Sequence, residues 1–149
     1  RRAGCRGVML SPLVLGLDVA RSLARASDLA ILGHPALAGA FFAPGHGIAP
    51  EVLLGEIFRL IGCDGVIYPN VGGRFVLGRA DCLAINDRLR RPLGDCRAAF
   101  PVPGGGIDTE RIPEWLERYC PDTIFLIGTG LYRQPDLREA AKALASRLA

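Results

Sequence analysis

Residues 99–107 read AFPVPGGGI, a short apolar run that ends in three consecutive glycines. An apolar run bounded by Pro and Gly is typical of a buried β-strand. The glycines that follow it expose backbone N–H groups, which can approach an anion closely because no side chain stands in the way. The stretch therefore predicts a buried strand that leads into a candidate phosphate-binding loop.

Five apolar runs of this kind occur along the chain and alternate with segments of helical periodicity. The predicted strands are residues 7–11, 29–33, 65–69, 98–102 and 123–128. The clearest helical spacings cover residues 53–61, which follow Pro50, and residues 112–119 and 137–148. Weaker helices are predicted at 17–26 and 79–89. Strands that are apolar throughout and alternate with helices indicate a parallel sheet covered on both faces, the α/β class.

Two architectures fit five such units: a complete doubly wound sheet, or rather more than half of an eight-stranded (β/α) barrel. The loop after the first strand, residues 11–16 (SPLVLG), lacks the Gly-rich pattern of a doubly wound nucleotide binder. The glycine-rich loops instead follow the last two strands, at residues 104–106 and 128–130. Phosphate sites of (β/α) barrels commonly follow strands seven and eight, so these glycines favour strands four to eight of a barrel. The alternative is that the glycines only make tight turns.

The composition excludes several classes of protein. The chain has 149 residues, 50% hydrophobic and 22% charged, which is typical of one globular domain. A net charge of 18 − 15 = +3 is too small and too scattered for a nucleic-acid-binding surface. No apolar run reaches the roughly 18 to 20 residues of a membrane span. The five cysteines are odd in number and widely spaced, which indicates neither a zinc site nor a disulfide framework. We therefore expect a soluble, cytoplasmic protein that binds neither nucleic acid nor a membrane.

Polar residues at the carboxyl ends of the strands are the candidates for chemistry, because these ends face the ligand in this class. His34 follows the second strand, and it could transfer a proton, donate a hydrogen bond to a substrate oxygen, or have a structural role only. Asn70 follows the third strand, and Arg74 follows Gly72 and Gly73 in the sequence NVGGRF. This pattern predicts a mobile loop whose cation closes on an anion, although a solvated arginine beside a turn is the alternative. His46 is expected in a surface loop. These residues predict a phosphate-binding α/β protein but do not define a reaction.

Four segments carry a resemblance to a known family. They are LAILGHPALAGAF (residues 29–41), LLGEIFRLIGCDGVIYPNVGGRF (53–75), AFPVPGGGI (99–107) and DTIFLIGTGL (122–131). In this order and with this spacing, the chain resembles the C-terminal part of the large-subunit family of ribulose-bisphosphate carboxylase (RuBisCO). Within that family it is similar to the non-carboxylating branch, the RuBisCO-like proteins.

The resemblance implies that residues 1–149 form a single, partial catalytic domain, strands four to eight of a (β/α)8 barrel whose N-terminal half is missing. It implies a cytoplasmic, homodimeric, Mg2+-dependent enzyme that acts on a phosphorylated, sugar-derived carbonyl compound through an enediolate. His34 matches the family's histidine near the substrate hydroxyls, and Arg74 takes the position of the loop lysine of carboxylases. The phosphate contacts implied are Gly105, Gly106, Gly128 and Thr129, the last standing where a glycine is usual. The Mg2+ ligands are expected outside this segment, so no metal ligand is assigned here. The first residues, Arg-Arg-Ala without an initiator Met, agree with a piece of a longer protein.

Three departures from the carboxylases bear on the reaction. Carboxylases have an arginine where this chain has Pro35, a histidine where it has Ile67, and a serine where it has Gly104. Each charge-assisted hydrogen bond lost from the second phosphate pocket removes about 1.5 to 3 kcal/mol. A bisphosphate should therefore bind badly. Arg74 is a bulkier planar fork in place of the compact loop lysine that helps carboxylases position CO2. We therefore expect enolisation, isomerisation or decarboxylation of a monophosphate and no CO2 fixation. The alternatives are a doubly wound module that binds a phosphate without chemistry, and a degenerate family member retained for interaction.

Overall fold

A computed structural model describes residues 3–43, 45–75 and 77–148. It contains a four-stranded sheet, ordered β1-β2-β3-β4, in which every neighbouring pair is parallel. The strands are β1 Gly7–Leu10, β2 Ala30–Gly33, β3 Gly65–Pro69 and β4 Phe100–Gly104. The prediction is exact for β3, and β4 begins and ends two residues later than predicted. Ala99 lies outside the strand because its N–H donates to the carbonyl of Leu89 at 2.9 Å.

The strand order decides between the two architectures. Each strand pairs with the strands that precede and follow it in the sequence. A doubly wound sheet would reverse its order at a switch point, whereas a barrel adds every strand on the same side. The structure is therefore an α/β partial barrel, as the glycine-rich loops predict, and the doubly wound alternative is wrong.

The structure contains every predicted helix and two short helices that the sequence does not predict, Pro12–Leu15 and Thr129–Tyr132. The helices are α1 Pro12–Leu15, α2 Leu17–Ala26, α4 Arg79–Arg90, α5 Ile112–Tyr119, α6 Thr129–Tyr132 and α7 Leu137–Leu148, with a short 3-10 turn at Ala38–Phe41. The helix after Pro50, here α3, starts with π-helical turns at Glu51–Ile57 and continues as Phe58–Leu60. None of the helices in the described residues is long and apolar enough to cross a membrane.

The predicted fifth strand, residues 123–128, does not form a regular strand. It makes one isolated parallel bridge, between Gly104 and Leu126. The N–H groups of Ile124 and Leu126 donate to the carbonyls of Pro101 and Pro103 at 3.0 and 3.1 Å. Proline has no N–H to donate in return, so this side of β4 can make only half of a normal ladder. The segment therefore runs beside β4 where the prediction expects it, without complete pairing.

The hydrophobic core lies between the sheet and the helices α3 and α4. Its fully buried side chains include Leu54 and Phe58 on α3, Val66 on β3, and Ile85 and Leu89 on α4. The two helices pack closely at Gly55, where a Cβ would lie only 2.5 Å from the Cβ of Arg88. This packing holds the C-terminal half of α4 against α3.

One buried cation joins these helices. Arg59 on α3 is 4% exposed, and its guanidinium donates to four backbone carbonyls. The acceptors are Arg88 (2.6 Å), Arg91 (2.9 Å), Arg97 (3.1 Å) and Cys96 (3.2 Å). A cation at the carboxyl end of a helix satisfies carbonyls that lack intrahelical partners and interacts favourably with the helix dipole. Arg59 therefore closes the end of α4 and the connection that leads into β4.

Candidate functional site

The loops that carry the predicted site residues meet at the carboxyl edge of the sheet. His34 follows β2 directly, Asn70 follows β3, and Gly105 follows β4. The register pairs Gly33 with Val66, and it pairs Pro69 with Gly104. Because parallel strands end at the same edge, the structure brings these loops side by side, as the sequence predicts.

The glycine loop after β4 lies directly against the loop after β3. A Cβ at Gly106 would lie 3.0 Å from the carbonyl carbon and oxygen of Gly72 and 3.0 Å from the nitrogen of Gly73. A Cβ at Gly73 would lie 3.1 Å from the Asn70 oxygen and 3.2 Å from the Gly105 oxygen. Gly105 and Gly106 also have positive φ angles, of 86° and 69°. These glycines are needed for loop contact and turn geometry, whether or not a ligand binds.

The backbone N–H groups at this edge are available to a ligand. Gly105 and Gly106 are exposed, and their N–H groups have no hydrogen-bond partner among the described residues. The same holds for the N–H groups of Gly128 and Thr129 at the start of α6. This third loop is a neighbour of the glycine loop, since a Cβ at Gly130 would lie 3.0 Å from the Ile107 oxygen. Several free donors on two adjacent loops form an arrangement that suits an anion.

Arg74 is the cation on the loop that contacts the glycine loop through Gly73. Its side chain is exposed, and its guanidinium carbon lies 4.8 Å from the centroid of the Phe75 ring. In the part of the chain that the structure describes, no carboxylate pairs with it. Gly72, two residues before it, has a φ of 78°. The loop therefore presents a cation that can bind an anion without first breaking an ion pair.

His34 is half-buried and held by two hydrogen bonds. Its backbone N–H donates to the Leu10 carbonyl at 2.7 Å, and its Nδ1 accepts the N–H of Ala36 at 3.1 Å. A neutral imidazole has one acceptor and one donor nitrogen. Because Nδ1 is the acceptor here, the proton of the neutral ring lies on Nε2, which can donate to a ligand oxygen.

Beneath the loop after β3 lies a polar pair that the sequence does not identify as a unit. Asn70 is fully buried, and its Oδ1 accepts a hydrogen bond from the Tyr119 hydroxyl. The carbonyl of Tyr119 accepts the Nδ2 of Asn86 at 3.3 Å and the hydroxyl of Thr123 at 2.8 Å. Burial raises the pKa of the Tyr119 phenol above its ordinary value, so this hydroxyl remains a donor. The only signal in the sequence is a polar residue that directly follows an apolar strand.

The other candidates do not join the site. His46 is exposed and lines a separate cleft of about 380 Å³ with Leu77 and Asp81. The described residues contain no group of three or more His, Cys, Asp or Glu side chains that could hold a metal ion. This segment therefore does not by itself fit a magnesium site.

Curated relatives that match the chain are a RuBisCO-like protein and enzymes named for methylthio-sugar phosphates. RuBisCO-like protein 1 of Rhodopseudomonas palustris is 44% identical over 132 residues, which are 88% of this chain and 34% of the relative. The 5-methylthioribulose-1-phosphate isomerase of Rhodospirillum rubrum is 38% identical over 143 residues, 95% of this chain and 37% of the relative. A 2,3-diketo-5-methylthiopentyl-1-phosphate enolase of Exiguobacterium sibiricum is 35% identical over 150 aligned positions, 99% of this chain and 37% of the relative. The chain thus spans little more than a third of the length of these relatives. No family model matches the chain.

Solved structures show the same fold. A RuBisCO-like protein from Alicyclobacillus acidocaldarius superposes with a TM-score of 0.89 at 30% identity, and the match covers 99% of this chain and 38% of that protein. In that protein and in the solved RuBisCO-like protein from Rhodopseudomonas palustris, the part that matches is the C-terminal barrel domain. The observed strand order, in which consecutive strands pair in parallel, agrees with this assignment.

Proposed function

Since the chain belongs to the RuBisCO large-subunit family, as a segment of the C-terminal barrel in its RuBisCO-like branch, we propose that it binds the phosphate of the substrate in a non-carboxylating enzyme. The enzyme enolises, isomerises or decarboxylates a phosphorylated, sugar-derived carbonyl compound. The observation that carries this proposal is the set of free backbone N–H groups at Gly105, Gly106, Gly128 and Thr129.

These four residues form the cradle for a single phosphate group. Backbone N–H groups that point at a phosphate from two loops bind its oxygens without requiring any charged side chain to be buried. The Thr129 hydroxyl adds one further donor. Arg74 supplies the charge from the neighbouring loop, and its planar fork can bind two phosphate oxygens at once. The substrate's binding energy therefore comes mainly from its phosphate end.

A monophosphate fits this edge better than a bisphosphate. Pro35 lies next to His34, and Ile67 is buried in β3 at 6% exposure. Neither side chain can donate a hydrogen bond, and Gly104 has no side chain at all. A second phosphate would have to leave water without gaining charged partners from these positions, which costs several kcal/mol in total, on the order of 1.5 to 3 for each charge-assisted bond not made.

His34 acts as a hydrogen-bond donor in this enzyme. Because Nδ1 accepts the Ala36 N–H, the neutral ring has its proton on Nε2, which can donate to an oxygen of the substrate. A donor placed on an oxygen that gains negative charge during enolisation stabilises the enolate more than the ground state. This role is positional and electrostatic, and it does not require His34 to exchange its proton in each turnover.

The rest of the enzyme lies outside this segment. Residues 1–149 form one partial barrel domain, and the family resemblance implies Mg2+ held by ligands that this segment does not contain. When bound, Mg2+ would polarise the carbonyl next to the carbon that loses its proton. The same resemblance implies a cytoplasmic homodimer.

The test is a chimera in which this chain replaces the matching 143 residues of the Rhodospirillum rubrum isomerase. With Mg2+ and 5-methylthioribulose 1-phosphate in D2O, NMR measures the exchange of the proton next to the carbonyl. We expect exchange well above that of the matched chimera carrying Arg74→Ala. The proposed function would be contradicted by a folded chimera that exchanges no proton on this substrate, on 2,3-diketo-5-methylthiopentyl 1-phosphate or on other sugar monophosphates.

If the chimera does not fold, a second measurement on the 149-residue chain tests the phosphate site. Inorganic phosphate is titrated into the 149-residue chain, and amide shifts are followed by two-dimensional NMR. We expect the largest shifts at Gly105, Gly106, Gly128 and Thr129. Shifts confined to other parts of the chain would remove these residues from the site.

A further inference from the structure

We propose that Asn70 and Tyr119 form a buried positioning pair, which holds the loop carrying Arg74 against the glycine loop and thereby sets the affinity for the phosphate group. The effect on affinity rests on the proposed function above. The positioning itself rests on contacts alone.

Asn70 joins both loops through its backbone. Its N–H donates to the Gly104 carbonyl at 2.9 Å, and its carbonyl accepts the N–H of Gly73 at 3.1 Å. Gly104 ends β4 and begins the glycine loop, whereas Gly73 directly precedes Arg74. A shift of Asn70 would therefore move the two loops relative to each other.

The side chain of Asn70 fixes that backbone from below. It is fully buried, and because its Nδ2 has no hydrogen-bond partner among the described residues, the bond to its Oδ1 is the one that offsets burial of the amide. The Tyr119 hydroxyl donates to its Oδ1. The Cys82 thiol on α4 donates to the carbonyl of Pro69 at 3.4 Å and lies near the Val71 backbone. The phenol of Tyr119 is thus the side chain that anchors Asn70 itself, beside the Cys82 thiol.

Tyr119 is itself held rigidly enough to act as an anchor. Its ring lies 6.4 Å, centroid to centroid, from both Tyr68 and Trp115, and it is 1% exposed. Its carbonyl is bonded by Asn86 on α4 and by Thr123. The pair therefore connects the position of the Arg74 loop to the helical layer behind the sheet.

The experiment measures hydrogen exchange of the Gly73 amide by NMR in the 149-residue chain. Tyr119→Phe removes one hydroxyl and keeps the packing of the ring. Tyr68→Phe is the matched control, because the Tyr68 hydroxyl is equally buried and its neighbour is Asn86 on α4 rather than a residue of the stretch 70–75. We expect exchange at Gly73 to rise roughly three- to tenfold in Tyr119→Phe, the effect of one lost hydrogen bond, and to stay near wild type in the control.

Equal exchange at Gly73 in the two variants would overturn the positioning role. If Tyr119→Phe does not fold, Asn70→Ala removes the acceptor instead and is read by the same exchange measurement, with the same expected rise. An unchanged rate in folded Asn70→Ala would also overturn the proposal.

Phosphate binding separates this proposal from the proposed function. If the wild-type chain binds inorganic phosphate at the glycine loop, Tyr119→Phe should weaken that binding by at least threefold while Tyr68→Phe leaves it unchanged. Equal binding in all three proteins would overturn the link between the pair and affinity. A wild-type chain that binds no phosphate would instead count against the proposed function, and the exchange of Gly73 would still decide whether the pair positions the loop.

Discussion

Gly106→Ala tests whether the glycine loop is shaped by its neighbour as well as by a ligand. Gly105→Ala is a control within the same loop, because both residues have positive φ, 86° at Gly105 and 69° at Gly106. A Cβ at Gly105 would have no neighbour closer than 3.9 Å, the Gly73 Cα. A Cβ at Gly106 would have three backbone neighbours at 3.0 Å, on Gly72 and Gly73.

The two substitutions share one cost and differ in another. Forcing an L-residue into the left-handed region destabilises the folded state by about 1 to 2 kcal/mol in each variant. Only Gly106→Ala adds a clash with backbone atoms, which no rotamer change can relieve and which costs roughly 1 to 3 kcal/mol more, as overpacking does. The expected loss of stability is therefore about 1 to 2 kcal/mol for Gly105→Ala and about 2 to 5 kcal/mol for Gly106→Ala.

Urea unfolding followed by far-UV circular dichroism measures this difference as a shift of the midpoint at constant m-value. The amide resonances of Gly72 and Gly73 should move in Gly106→Ala and remain close to wild type in Gly105→Ala. Equal midpoints for the two variants, or unmoved Gly72 and Gly73 resonances in a folded Gly106→Ala, would refute the claim that these loops pack backbone against backbone.

Three further predictions follow from other contacts. Arg59→Met should lower the free energy of unfolding by about 3 to 5 kcal/mol, because four backbone carbonyls lose a charged donor. The control is Arg97→Met: Arg97 is exposed, so the same urea experiment should show a change of less than about 1 kcal/mol. Arg74→Ala should weaken phosphate binding by about tenfold, measured by calorimetry, and leave the urea midpoint within error; unchanged affinity would remove Arg74 from the site. Burial, with a smaller contribution from Asp64, raises the pKa of the Cys63 thiol from 9.0 to about 12. The unfolded chain therefore releases the thiol proton at lower pH than the folded chain does. The stability that the neutral thiol confers is complete below pH 9 and falls between pH 9 and 12. Cys63→Ala should lessen that fall in the free energy of unfolding, and an identical pH profile of the free energy of unfolding would contradict the shift.

The sequence predicts the parts of this molecule that depend on local pattern. β3 and α2 agree with their predicted bounds, since an apolar run or a helical period is a property of neighbouring residues. Residues 123–128 do not form a regular strand because Pro101 and Pro103 of β4 face them and donate no hydrogen bonds. Which side of β4 these prolines face is known only once β4 has paired with β3. Pattern alone therefore predicts the position of the last segment but not its incomplete pairing.

Part of the candidate site is likewise predictable from local pattern and part is not. The sequence shows, as motifs, the loop glycines after two predicted strands, a histidine after another and an arginine between them. The structure places all of them along one edge of the sheet. The Asn70–Tyr119 pair joins residues 49 apart, and Arg59 reaches carbonyls 29 to 38 residues away. Contacts at such separations depend on the tertiary arrangement, and a single sequence carries no local signal for them.

The two prolines of β4 also have a consequence for self-association. An exposed strand edge normally recruits other strands because it offers both donors and acceptors. On the side of β4 that faces residues 123–128, Pro101 and Pro103 offer acceptors only. If that segment detached, an incoming strand from another molecule could form at most every second hydrogen bond there. Pro101 and Pro103 thus act as gatekeepers against edge-to-edge aggregation while the last segment is still unpaired.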